Sequence, residues 1–233
     1  MGDGTSRPRL TAKGRATRER IIRTAADLIF QHGVSGTSIE DVRQAAGVSG
    51  SQMTHYFVDK RSLVRAVVAW QADTVMGLHQ QPALGELDSF EALDLWAELN
   101  VAKQRLHDCE GGCSFGSLAG ELAGTDEDTT ADLAAGFDRW EGLFRHGLRL
   151  MRDRGQLRPE ADPDELALGL LCALQGGMLL SQTKRDIRPV QAALKNMVEH
   201  VRSFATDEAE RTVDRRRRAV VRRRATRLAS APA

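Results

Sequence analysis

GTSIEDVRQAAGVSGSQMTHYF, residues 36–57, decides the fold. Ser38 followed three residues later by Asp41 is a capping box, which starts a helix by satisfying free backbone amides at its first turn. Ile39, Val42 and Ala46 supply one buried stripe, and the helix ends at Gly47. Ser49 and Gln52 repeat the capping-box spacing and start another short helix. Two short helices joined by a glycine-containing turn form a helix-turn-helix pattern. The second helix of such a pair lies in the DNA major groove, so it needs a polar outer face and few anchors. Met53 and Phe57, four residues apart, are the predicted anchors. Gly50, Ser51, Gln52, Thr54, His55 and Tyr56 are left facing outward, and the small Gly50 and Ser51 allow close approach to DNA.

Outward from this stretch, nearly every segment repeats at helical spacing. Residues 15–32 carry the stripe Ile21, Ala25, Leu28 and Ile29, closed by Gly33. Asp59 precedes a helix over 60–79 with Leu63, Val64, Val67, Val68 and Trp70. Further helices are expected near 87–107, 113–123, 130–153, 163–184 and 189–205. The fold class is all-α: an N-terminal three-helix helix-turn-helix domain and a C-terminal helical body. The expected division is an arm over 1–14, the DNA-binding domain over 15–60, the body over 61–206 and an arginine-rich tail over 207–233.

Charge supports this division. The net charge of the 233 residues is +1, but residues 1–60 hold 9 basic and 6 acidic side chains, residues 61–206 hold 15 and 22, and residues 207–233 hold 9 and 4. A basic front on an acidic body suits a polyanion partner for the front alone. No secretory leader and no run of about 18 apolar residues stands out, so a cytoplasmic protein without a membrane partner is expected. Three cysteines, Cys109, Cys113 and Cys172, fit a reducing compartment better than a disulfide framework. The C-x3-C pair with nearby His107 falls short of a zinc set, so no metal and no cofactor is expected. No catalytic set stands out among the scattered carboxylates, so no enzyme is expected.

Residues 17–68 resemble the DNA-binding domain of the TetR family of transcriptional regulators. The resemblance rests on AADLIFQHG (25–33), GTSIEDV (36–42), AAGVS (45–49), HYF (55–57), Lys60 and Leu63. The sequence departs from the family's usual glycine, leucine and aromatic at Ser51, Met53 and Thr54. GGCSFGSLAGELA (111–123), the Trp140 helix and DPDELALGLLCALQGGMLL (162–180) resemble the ligand-binding half of one branch. The resemblance implies double-stranded DNA with a palindromic operator as partner. It also implies a homodimer packed through the last two body helices, and a small-molecule effector of apolar or aromatic character.

The DNA-contact candidates are Thr37, Ser38, Arg43, Ser49, Gly50, Ser51, Gln52, Thr54, His55, Tyr56 and Lys60. Gln52 is expected to read adenine bidentately. Thr37, His55, Tyr56 and Lys60 are expected at phosphates. Arg43 suits an exposed helix position equally well. Arg7, Arg9, Lys13, Arg15 and Arg18 form either an arm over DNA or a solubilising leader. Candidates to line an effector cavity are Trp96, Phe115, Trp140, Phe144, Met151, Cys172, Gln175 and Met178. Together these give a ligand-responsive repressor. The alternatives are a thiol sensor acting through Cys109 and Cys113, and a nonspecific architectural binder using the tail.

Overall fold

The computed structural model describes residues 10–209 and 211. Arg7, Arg9 and most of the arginine-rich tail lie outside the described residues. Among the described residues the chain is all-α, in the order α1 (Ala12–His32), α2 (Ile39–Ala45), α3 (Gly50–Tyr56), α4 (Lys60–His79), α5 (Phe90–Leu106), α6 (Ser114–Leu122), α7 (Glu127–Asp153), α8 (Pro163–Lys184) and α9 (Arg188–Arg202). A single 3-10 turn, Pro82–Leu84, precedes α5. One isolated bridge joins Leu157 to Ala205.

Two compact units form. The first holds the chain up to Val75 together with Ser114–Gly136. Its core is built from the stripes read in the sequence: Ile21, Ala25 and Ile29 of α1, Val42 of α2, Met53 of α3, and Leu63, Val67 and Val68 of α4 are all buried. Phe115, Leu118 and Leu122 of α6 are buried in the same unit. Phe115 lies tight against α7, because a side-chain carbon on Gly136 would come within 2.3 Å of its ring. Arg61 of α4 reaches Asp126 at 2.8 Å and Asp128 at 2.9 Å, and Arg65 reaches Asp132 at 2.6 Å. Glu121 of α6 accepts from the Ser35 amide at 3.1 Å, holding the α1–α2 loop.

The second unit holds Met76–Cys113 and the chain from Phe137 on. Its α8 and α9 form a tight antiparallel pair. The Val190 amide donates to the buried Ser181 hydroxyl at 3.0 Å, and a side-chain carbon on Gly177 would sit 2.9 Å from the Val190 Cα. Arg185 turns the chain between them in the left-handed conformation. Arg202 of α9 reaches Asp94 of α5 at 2.8 Å and covers the Phe90 ring at 5.1 Å. By length and composition α8 is long and apolar enough to cross a membrane, contrary to the sequence expectation. Nine of its residues are buried within this unit, as a core helix requires.

Candidate nucleic-acid interface and effector site

Both short helices of the first unit start as their sequences dictate. Ser38 accepts from the Asp41 amide while Asp41 accepts from the Ser38 amide at 2.9 Å. The Ser38 hydroxyl holds the Asp41 carboxyl below its usual range, helped by the Ser38 amide. Ser49 and Gln52 form the same box on α3, with the Ser49 amide donating to Gln52 Oε1 at 3.0 Å. Gly47 holds φ at +62° in the turn, where an L side chain is strained. The two helices are thus fixed largely by local bonds, each cap being worth about 1 kcal/mol.

On α3 the inner and outer faces separate as expected. Met53 and Phe57 are buried, and Arg18 of α1 stacks over Phe57 at 5.3 Å. Gly50, Ser51, Gln52, Thr54 and His55 are exposed and Tyr56 is half-buried. His55 meets the Tyr56 ring edge-on at 5.0 Å. The Tyr56 hydroxyl lies beside Gly14 of α1 and has no hydrogen-bond partner among the described residues. Lys60 stands half-exposed at the start of α4.

Four of the DNA-contact candidates bond within the protein itself. Thr37 is buried at 4% exposure, and its hydroxyl donates to the Gly33 carbonyl at 2.9 Å, which closes the end of α1. Arg43 is taken up locally: it pairs with Glu40 and donates to the Val48 carbonyl at 3.1 Å, bracing the turn. Bonds from Arg43, then Gln44, hold the Glu40 carboxyl down to about 2. The Thr54 hydroxyl is turned back onto the Gly50 carbonyl at 3.2 Å. Gln52 is exposed, but its oxygen is committed to the Ser49 amide, and a bidentate adenine contact needs that oxygen.

The effector candidates divide in the same way. Trp96, Trp140 and Phe144 come together in the second unit around His79, which the sequence reading missed. Trp140 Nε1 donates to His79 Nε2 at 3.1 Å, so that nitrogen carries the lone pair. Trp96 packs edge-on against Phe144 at 4.9 Å. The Trp96 Nε1 atom is buried with no hydrogen-bond partner, as is Gln104 Oε1 two turns along α5. Buried polar atoms are normally paired, so each such orphan needs a reason. No signal in the sequence marks His79, because α4 mixes charged residues such as Arg61, Arg65 and Asp73 with its apolar stripe. Met151 and Met178 are buried in this unit. Phe115 belongs to the first unit, whereas the cluster belongs to the second. Cys172 is exposed, so it lines no core cavity. Gln175 donates to Cys113 Sγ at 3.6 Å. Cys109 is buried, and among the described residues no three His, Cys, Asp or Glu side chains converge as a metal set. GCSFG, residues 112–116, has the spacing of a hydrolase nucleophile elbow. Its Ser114 hydroxyl donates to the Gln71 amide oxygen at 3.1 Å, not to a base, and it starts a helix with no strand before it.

A capped helix-turn-helix on an all-α body defines a DNA-binding regulator. Residues 21–67 match the family described as "Bacterial regulatory proteins, tetR family", and residues 91–197 match "Tetracyclin repressor-like, C-terminal domain". An HTH-type transcriptional regulator of Mycobacterium tuberculosis is 31% identical over 193 residues, spanning 78% of this chain and 93% of its own length. The HTH-type transcriptional repressor ComR of Escherichia coli is 26% identical over 162 residues, spanning 68% and 76%. A TetR transcriptional regulator from Chloroflexus aurantiacus has the same fold, with a TM-score of 0.72 at 23% identity over 84% of this chain and 98% of its own. The chain belongs to the TetR family of transcriptional regulators, and its family and relatives are regulators, not enzymes.

Proposed function

We propose that the protein is a dimeric, ligand-responsive repressor that binds a palindromic operator in the cytoplasm. The observation that carries this reading is the outer face of α3. Gly50, Ser51, Gln52 and His55 are exposed on a helix held from beneath by the buried Met53 and Phe57. Gln52 serves base readout, while Tyr56, His55 and Lys60 serve phosphates. Ser38 and Ser49 act mainly as caps.

The body, residues 61–206, dimerises and senses. Leu168, Leu179 and Leu180 of α8 are exposed large apolar side chains, and Gly176 between them has open space around it. A second copy packed on this stripe places two α3 helices about one DNA turn apart, roughly 34–36 Å. The effector is a neutral aromatic or apolar compound. It enters beside Trp96, Trp140, Phe144 and His79 and accepts from the orphaned Trp96 Nε1. Its binding favours a dimer with the wrong α3 separation, which requires a coupling of about 1–3 kcal/mol.

Selection of bound duplexes from a random pool tests the reading. The expected result is an inverted repeat with half-site centres about 10 base pairs apart. Enrichment of no sequence, with binding that follows charge alone, overturns it. Compounds that release the selected duplex from the wild type but not from Trp96→Phe then identify the effector site.

A further inference from the structure

We infer that Gln52 reads guanine, with its side-chain amide acting as a donor only. This rests on the proposed reading of α3 as the recognition helix. Gln52 stands at the third position of α3 and is exposed. Its Oε1 accepts from the Ser49 backbone amide at 3.0 Å, and its backbone N–H donates to the Ser49 hydroxyl at 3.2 Å. The Ser49 hydroxyl lies 3.0 Å from that of Ser51, so the helix start is closed by a three-residue set. The two Nε2 protons of Gln52 have no hydrogen-bond partner among the described residues. In the major groove guanine offers two acceptors, N7 and O6, whereas adenine offers one acceptor and one donor. An amide that keeps its oxygen on the helix cap can satisfy both guanine atoms with its NH2 group. Toward adenine the same group meets the N6 amino donor head-on, unless it abandons Ser49. The residue that starts the helix therefore also sets its base preference.

Selection from a random duplex pool is run in parallel on the wild type, Gln52→Ala and Gln52→Glu. Alanine deletes the donor and identifies the base pair that Gln52 reads, because preference is lost at that pair alone in each half-site. Glutamate keeps the capping box, since a carboxylate accepts from the same amide. It now offers an acceptor to the groove. The expected wild-type pair is G·C, and Gln52→Glu inverts it to C·G or changes it to A·T, since cytosine N4 and adenine N6 are donors. Placing 7-deazaguanine at that pair removes N7; it weakens wild-type binding roughly tenfold and leaves Gln52→Ala unaffected. A wild-type A·T pair at that position overturns the inference, because it means that Gln52 leaves its cap. A preference unchanged in Gln52→Ala overturns it as well. If the wild type enriches no sequence, the recognition-helix reading itself has failed and the inference falls with it. A defined operator with the wrong pair sinks only the inference.

Discussion

Three glycines around α2 and α3 provide a graded test of the helix-turn-helix geometry, because each is constrained differently. Gly47 sits at φ +62° with nothing within 4 Å of an added side-chain carbon. Gly47→Ala therefore has no clash to relieve, and the whole cost is backbone strain of about 1–2 kcal/mol. The reduced freedom of the unfolded chain returns about 0.4–1 kcal/mol, leaving a net loss of about 1 kcal/mol. Gly50, at the first position of α3, also has open space around it, but no left-handed φ. Gly50→Ala is expected to be neutral or to stabilise by up to about 0.5–1 kcal/mol. Gly36 is the opposite case, since an added carbon would lie 2.3 Å from the His32 carbonyl oxygen, a backbone atom that cannot swing away. Gly36→Ala must open the α1–α2 loop and is the most damaging of the three. Urea titration followed by circular dichroism gives the order directly, as shifts in midpoint at constant slope. DNA binding then separates the roles. Gly50→Ala adds a methyl group on the outer face, so it is expected to keep stability and lose affinity for the duplex. Equal midpoints for Gly47→Ala and Gly50→Ala would refute the turn geometry. A neutral Gly36→Ala would refute the close approach of the loop.

Two further predictions test other parts of the account. The Asp126 carboxyl is held down to about 2 from 3.8, chiefly by the Thr129 amide and then by its hydroxyl, with Arg61 adding to this. A carboxyl lowered in the folded state contributes stability above pH 4 that disappears as the pH falls toward 2. Asp126→Asn keeps a capping oxygen but cannot titrate, so its unfolding midpoint is expected to fall less steeply between pH 4 and 2 than that of the wild type; identical slopes would contradict this. Leu179 on α8 is 63% exposed. Leu179→Glu places a charge on the proposed dimer stripe and should raise the dimer dissociation constant at least tenfold, about 1.4 kcal/mol, in sedimentation runs. An unchanged dimer would place the interface elsewhere.

Local bonds account for what the sequence made legible. Both capping boxes span four residues, so Ser38, Asp41, Ser49 and Gln52 announce α2 and α3 without help from the rest of the fold. The period of α1 and α4 did the same for their buried faces. Errors arise at the ends of elements and where distant groups meet. The helix expected from 87 begins at Phe90, because Leu87 takes a left-handed φ of 56° and Ser89 provides the cap. The helix expected to reach 205 stops at Arg202, because the chain turns so that Ala205 can bridge to Leu157. Thr37 reads as an exposed polar residue until its bond to Gly33 is seen. His79 and Trp140 are 61 residues apart, and nothing in either neighbourhood foretells their bond. Gln52 is a different case: its type suggested adenine, although its capping-box spacing to Ser49 already tied its oxygen to the helix start, which leaves the NH2 half of its amide to face a base.

The affinity of the selected duplex for the variant Gln52→Ala, His55→Ala, Tyr56→Ala, measured by fluorescence anisotropy, tests the central claim most directly. None of the three side chains is fully buried, so the fold should survive, as circular dichroism can verify. With each lost contact worth about 1 kcal/mol or more, binding should weaken at least a hundredfold while charge-driven binding to random duplex persists. A folded triple variant that holds the selected duplex as tightly as the wild type would contradict the assignment of α3 as the element that reads DNA.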